Sequence, residues 1–241
     1  MIWSEIVTVN SHDCDKNRIL RPTGLFRIVQ EAAAHQLSAI GQDEGAMHAA
    51  HRAYIVSRIG IDVFSPIYIN DLLTVRTWEA NSSGAKFMRY YSVLRGGGEV
   101  ACGACICALV DTETGRIMRL ADSGYCFGGV GEERVPLLDS HDAMLKSLTF
   151  EKVADYPVLY TFIDRNDHMN NTCYADMFYS SVPGCAEKYM KSISISYLRQ
   201  AKPGETLQIE HAERDGVDYF KSFLPDGSVC SVAAVRAENV K

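Results

Sequence analysis

The sequence has no segment that would carry the chain into or across a membrane. Its first ten residues, MIWSEIVTVN, contain neither a basic stretch nor the continuous apolar run of a secretory signal peptide. They also lack the arginine-rich, acid-poor composition of an organelle transit peptide. No window approaches the roughly 18 apolar residues that a transmembrane helix requires. We therefore expect a cytoplasmic protein that has no membrane partner.

Positive charge is also scarce in this chain. Its 241 residues include 24 Lys and Arg against 30 Asp and Glu, which gives a net charge of −6. A general nucleic-acid-binding protein needs a basic footprint on its surface. The composition therefore argues against nucleic acid as a partner, although it is compatible with a small basic patch for an acidic protein.

The chain lacks the cysteine spacing of a zinc site, although it has eight cysteines. Cys102, Cys105 and Cys107 lie in the run VACGACICALV, which is typical of a buried strand. Side chains alternate between the two faces of a strand, so Cys102 points away from the other two. No second CxxC and no nearby histidine completes a ligand set. We interpret these cysteines as small core residues and expect neither a metal nor an organic cofactor.

An internal repeat is present instead. Residues 57–78 and 191–212 align without gaps at an offset of 134, so that Ile59 matches Ile193 and Ile61 matches Ile195. Apolar residues alternate in both segments on either side of a turn, which predicts two strands with one buried face. An aromatic-rich strand, a glycine-containing turn and a strand of small apolar residues follow in each copy, as expected of a hairpin.

One amphipathic helix precedes each set of strands. The apolar spacing predicts a first helix from Pro22 to Ile40 and a second from Asn171 to Val182. A single helix must be buried against a sheet, so each copy is predicted to be an α+β module whose antiparallel sheet wraps around its helix. We place the modules at 1–125 and 151–241, joined by a linker at 126–150.

The second copy carries a dense polar cluster between a strand and its helix. In TFIDRNDHMNNTCYADMFY, six polar residues lie close together: Asp164, Asn166, Asp167, His168, Asn170 and Asn171. A helix start offers backbone N–H groups that can hold an oxyanion. A carboxylate can take a proton from water, and a His or Asn side chain can orient the reactants. The first copy lacks this order of residues, and there His12 and Asp13 are interpreted as a degenerate site.

The pattern D-x-N-x-H-x-N-N, followed by a helix with aromatic residues, resembles the catalytic segment of acyl-acyl carrier protein thioesterases. The segments RPTGLFRIVQEAA and YIVSRIGIDVFSPIYINDLLTVRTW of the first copy are similar to this family as well. The resemblance implies two tandem hot-dog modules and hydrolysis of fatty acyl thioesters to free fatty acid. It also implies that the N-terminal module binds the acyl chain and that the C-terminal module is catalytic.

Site residues follow from the same resemblance. The family's Asp, Asn and His correspond to Asp164, Asn166 and His168. Its Glu, commonly followed by Cys, corresponds to Gln200 and Ala201. A cysteine nucleophile is therefore impossible at this place, and an amide cannot act as a general base, although it can position water. We expect Asp164 to be the principal carboxylate, either as general base or as nucleophile.

The partner implied by the resemblance is an acyl carrier protein with a phosphopantetheine-linked fatty acyl chain. Because carrier proteins are acidic, four basic residues of the second copy are candidates for a docking patch: Lys188, Lys191, Arg199 and Lys202. The fused modules already supply one module–module contact, so either a monomer or a homodimer is compatible with the sequence.

Three alternative functions stay open at this point. Acyl-CoA hydrolysis uses the same chemistry on a different thioester. A hot-dog hydratase carries D-x-N-P-x-H, in which His follows Asp by five positions, whereas His168 follows Asp164 by four and no proline intervenes. A non-catalytic acyl-thioester binder is suggested by Gln200, which stands where the family has Glu.

Overall fold

The computed structural model describes residues 2–79, 85–119 and 142–240, and within the last range the side chains of 142–144 are not described. Residues 126–141 of the predicted linker, including Cys126, lie outside the described residues. Among the described helices, none combines the length and apolar composition needed to cross a bilayer.

The N-terminal module contains one long helix and the strands of one sheet. Its helices and strands are β1 (Trp3–Thr8), α1 (Pro22–Ala39), α2 (Glu44–Ala49), β2 (Arg52–Val63), β3 (Leu72–Glu79), β4 (Lys86–Arg95), β5 (Gly98–Asp111) and β6 (Ile117–Met118).

After the short helix α3, the C-terminal module repeats the order of one strand, one helix and four strands, without counterparts of α2 and β6 among the described residues. Its helices and strands are α3 (Asp142–Ser147), β7 (Glu151–Pro157), α4 (Cys173–Ser180), β8 (Lys188–Tyr197), β9 (Thr206–Arg214), β10 (Val217–Phe223) and β11 (Val229–Asn239).

The described strands form a single antiparallel sheet that joins the two modules edge to edge. Its order is β1-β3-β4-β5-β2-β8-β11-β10-β9-β7, with β6 beside β5. The junction is the pairing of β2 with β8, in which Ile59 faces Ile195 and Ile61 faces Ile193. Gly60 therefore faces Ser194, its own counterpart at the offset of 134, so a pseudo-twofold axis passes between these two residues. The predicted repeat is confirmed.

Each half of the sheet covers one helix, as predicted. Phe26 and Val29 of α1 are buried, and so are Tyr174 and Phe178 of α4. Complete burial of a side chain of this size stabilises the fold by roughly 1.5–3 kcal/mol relative to exposure. The two helices also contact each other, so the loop that precedes each helix lies close to the helix of the other module.

The second helix is shorter than predicted. It spans Cys173–Ser180 instead of beginning at Asn171 and ending at Val182. Its start is delayed because the Asn170 side chain accepts a hydrogen bond from the Thr172 N–H (2.9 Å), which holds residues 170–172 in a turn. At the other end, the N–H of Val182 bonds three residues back to Tyr179 (3.1 Å), so the chain leaves the helix in a tighter turn.

Candidate active site

A tight loop presents the predicted catalytic segment. Ile163 and Met169 form an isolated β-bridge, and the N–H of Asp164 donates to the carbonyl of His168 (2.9 Å). Asp167, at the tip, has a positive φ of 61°, which short polar residues tolerate better than most. Together these contacts hold Asp164 and His168 at opposite ends of the same turn.

The Asp164 carboxylate has one oxygen committed to the loop and one directed to its histidine neighbour. Its Oδ1 accepts from the N–H of Asn166 (2.8 Å). Its Oδ2 lies 3.8 Å from Nδ1 of His168, and both side chains are about one-fifth exposed. That separation is too long for a direct hydrogen bond. Oδ2 is therefore the carboxylate atom that can receive a proton from a bound water.

The tautomer of His168 follows from its backbone contact. Its Nδ1 lies 3.2 Å from the carbonyl oxygen of Met169. A carbonyl only accepts hydrogen bonds, so Nδ1 carries the proton in this contact. Nε2 of the neutral ring is then an acceptor that is available to water or substrate.

The other two predicted residues are placed differently. The side chain of Asn166 is exposed, and its backbone N–H completes the Asp164 turn. Gln200 is also exposed, but its chain segment is attached to the site, because the N–H of Met169 donates to the carbonyl of Ala201 (2.8 Å). The structure thus brings Asp164 and His168 together, with Gln200 one residue from the contact that joins the two loops.

The N–H of Asn171, just before α4, is a backbone donor without a protein acceptor among the described residues. The two N–H groups before Asn171 and the two after it all donate to protein acceptors. Met169 donates to the carbonyl of Ala201, and Asn170 donates to that of Phe162. Thr172 and Cys173 donate to the side-chain and main-chain oxygens of Asn170 respectively. Within the described part of the chain, the N–H of Asn171 has no such acceptor. This N–H is therefore a candidate for the oxyanion donor that the sequence predicted at this helix start.

The first module contains the same loop, at residues that sequence reasoning missed. The N–H of Asn17 donates to Oδ1 of Asp15 (2.8 Å), and the N–H of Asp15 donates to the carbonyl of Ile19 (2.8 Å). Asp15 and Asn17 therefore correspond to Asp164 and Asn166. The sequence suggested that the remnant of the motif lies at His12 and Asp13. The structure instead places it at Asp15 and Asn17. The sequence pattern that could have identified Asp15 and Asn17 is D-x-N itself, which precedes a helix in both copies.

Two substitutions distinguish this first loop from the second. Ile19, which is buried, occupies the position of His168. Pro22 occupies the position of Asn171, seven residues after the aspartate in each case. Proline has no N–H, so the first loop lacks both the imidazole and the backbone donor.

A cleft of about 210 Å³ opens beside Asp164, and both modules line it. The second module contributes Thr161, Phe162, Ile163, Asp164, Asn170, Thr172 and Cys173, and helix α1 of the first contributes Arg27, Gln30 and Glu31. Both modules therefore contribute residues to the cleft.

Comparison with known proteins agrees with this architecture. Residues 2–125 match the family model of the acyl-ACP thioesterase N-terminal domain, and residues 145–228 match that of the C-terminal domain. Two uncharacterised proteins of Mycobacterium tuberculosis are each 28% identical over 215 residues, which cover 85% of this chain and 80% of theirs.

Solved structures show the same tandem hot-dog fold. An acyl-ACP thioesterase from Bacteroides thetaiotaomicron superposes with a TM-score of 0.86 at 17% identity, over 98% of both chains. The 12:0-ACP thioesterase from Umbellularia californica gives a TM-score of 0.79 at 16% identity, over 99% of this chain and 98% of the other. The chain belongs to the acyl-ACP thioesterase family, and it is a thioester hydrolase that acts on fatty acyl-ACP.

Proposed function

We propose that hydrolysis takes place in the C-terminal module, with Asp164 as the general base, His168 and Gln200 as residues that orient water, and the N–H of Asn171 as the oxyanion donor. The observation that supports this most directly is the difference between the two loops. They share the aspartate–asparagine turn at 2.8 Å, but only the second has an imidazole and an available backbone N–H.

The reaction follows from these positions. Oδ2 of Asp164 takes a proton from water while the water oxygen attacks the thioester carbonyl carbon. The carbonyl oxygen becomes negative, and it is stabilised by the N–H of Asn171 at the positive end of α4. The C–S bond then breaks, and the proton held by Asp164 passes to the departing thiolate. The products are a free fatty acid and the thiol of the carrier, and the carboxylate is regenerated.

An alternative role for Asp164 is nucleophilic attack, which would form a mixed anhydride. A single turnover in ¹⁸O-labelled water tests for the nucleophilic role. General-base catalysis puts the label only in the fatty acid, so label at Asp164 would establish an anhydride that water opens at the Asp164 carbonyl.

The N-terminal module is proposed to receive the acyl chain, because its helix α1 lines the cleft beside Asp164. The carrier protein, with its phosphopantetheine-linked chain, would then approach from the side of Gln200. Of the four predicted docking residues, Arg199 and Lys202 flank Gln200. Lys188 begins β8 at its other end, about 30 Å from Tyr197 at the usual rise of a strand. The ammonium of Lys191 lies 3.7 Å from the Glu238 carboxylate, so we place the docking surface at Arg199 and Lys202.

Thiol release from matched acyl carrier protein and acyl-CoA substrates, C4 to C18, tests the substrate assignment. Faster turnover of the carrier-protein series supports this proposal. Equal or faster turnover of the CoA series would reassign the substrate to acyl-CoA. Acyl binding without thiol release would identify a non-catalytic binder, and hydration of a crotonyl thioester would identify a hydratase.

A further inference from the structure

The cleft beside Asp164 contains a cation from the other module. We propose that Arg27, on helix α1 of the first module, is a catalytic residue that stabilises the negative charge on the thioester oxygen during attack. This inference rests on the proposed function of the C-terminal site. It assigns a role to a residue that lies outside the D-x-N-x-H-x-N-N motif.

Arg27 lies at the cleft beside the first residues of α4. It lines this cleft together with Asp164 and Cys173. Cys173 is two residues after Asn171, the proposed oxyanion donor. A guanidinium has five N–H donors in a fixed plane, so it can present several donors to the cleft.

Asp176 is close enough to interact electrostatically with Arg27. Among the described residues, however, no carboxylate lies within 4.0 Å of the Arg27 guanidinium. Glu31 lines the same cleft one helical turn later, but its carboxylate lies 3.8 Å from Nε2 of His35, on the next turn of α1. Arg27 is exposed at the cleft, so a bound substrate can reach it.

The pseudo-equivalent position in the other module has the opposite charge. Arg27 follows Thr23 by four residues, and Asp176 follows Thr172 by four. Oδ1 of Asp176 accepts from the Thr23 N–H at the start of α1 (2.9 Å). The Asp176 carboxylate is therefore hydrogen-bonded to the start of α1, although Asp176 itself lies in the first turn of α4. Arg27 lines the cleft beside that turn, where a positive charge favours a developing oxyanion.

The role at the thioester fits better than recognition of the carrier's phosphate. The phosphate is at the far end of the pantetheine arm, many bonds from the sulfur, whereas Arg27 lines the same small cleft as Asp164. Because Arg27 is exposed and screened by water, its contribution should be smaller than that of an enclosed oxyanion donor. We expect about a tenfold loss of kcat when the guanidinium is removed.

The test compares Arg27→Ala, Arg27→Lys and the control Arg76→Ala, which removes an exposed guanidinium from β3. We expect Arg27→Ala to lower kcat with little change in KM and in the thermal midpoint. Added guanidinium ion should restore part of the kcat of Arg27→Ala and leave the wild type unchanged. Arg27→Lys should retain an intermediate kcat, and Arg76→Ala should match the wild type.

Three outcomes would overturn the inference. Arg27→Ala with a wild-type kcat would remove the catalytic role while leaving the thioesterase assignment intact. A higher KM with unchanged kcat would make Arg27 a ground-state binding residue. If the wild type releases no thiol from any acyl thioester, the proposed function fails, and the role of Arg27 fails with it.

Discussion

The substitution Asp164→Asn separates chemistry from folding at the proposed site. An asparagine keeps an Oδ1 that can accept from the Asn166 N–H, the 2.8 Å bond that closes the loop. The substitution changes Oδ2 into an amide nitrogen, which cannot take a proton from water. The backbone contacts of the loop do not involve the changed atom.

Asp164→Asn should change the activation free energy by several kcal/mol more than it changes the free energy of unfolding. A positioned general base contributes about 10²- to 10⁴-fold to the rate, so its loss should raise the activation free energy by about 3–5 kcal/mol. The hydrogen bond to Oδ1 remains, so the free energy of unfolding should change by less than about 1 kcal/mol. Thiol release gives the first quantity, and denaturant or thermal unfolding gives the second.

Asp15→Asn is a matched control, because Asp15 makes the same 2.8 Å bond to Asn17 in the first module. It should change stability as little as Asp164→Asn does and leave kcat at the wild-type value. Equal loss of activity in both variants would mean that the loops act through folding alone. Full activity in Asp164→Asn would refute the general-base assignment.

Three further predictions concern other parts of the molecule. Gln200→Ala should lower kcat about fivefold, the effect of losing one hydrogen bond of about 1 kcal/mol to water, and unchanged thiol release would remove Gln200 from the site. Gly103→Ala should destabilise the fold by about 3 kcal/mol or more, because its Cβ would lie 2.4 Å from the Gly60 carbonyl. Gly98→Ala, whose Cβ would lie 3.7 Å from the Arg95 carbonyl oxygen, should cost far less in the same unfolding assay. Burial raises the pKa of Asp176 above its ordinary 3.8, so its contribution to stability is greatest below that pH and falls as pH rises through the higher folded value. The thermal midpoint of Asp176→Asn should therefore increase relative to that of the wild type as the pH rises. A difference in midpoint that does not change with pH would contradict this prediction.

The fold was predictable wherever one face of a strand is buried. Alternation in residues 57–78 and 191–212 reflects that burial directly, and the structure pairs Ile59 with Ile195 at the junction of the modules. The ends of α4 were predicted less well. They depend on the Asn170 turn and on tight bonds such as Val182 to Tyr179, which hydrophobic periodicity does not report.

The candidate site was predictable only where it is local in sequence. Asp164 and His168 are four residues apart, and one loop holds them together. Arg27 is 137 residues before Asp164 in the chain and reaches the cleft only because α1 packs against α4. Asp15 was missed for a different reason, because the missing histidine concealed a shared backbone turn.

The two loops also show which contacts serve the fold and which are left for chemistry. Asp15 and Asp164 each accept from an asparagine N–H two residues later, and each donates its own N–H to the carbonyl four residues later. A contact present in both modules cannot by itself explain activity in one of them. Three equivalent positions differ between the modules. The first module has Ile19, Pro22 and Arg27 where the second has His168, Asn171 and Asp176. His168 and Asn171 give the second module groups that can bind water or negative charge, and Arg27 is a cation that the first module contributes to the cleft beside Asp164. The pseudo-symmetry of the fold thus carries an asymmetric site, and Arg27 of the first module lines the cleft beside Asp164 of the second.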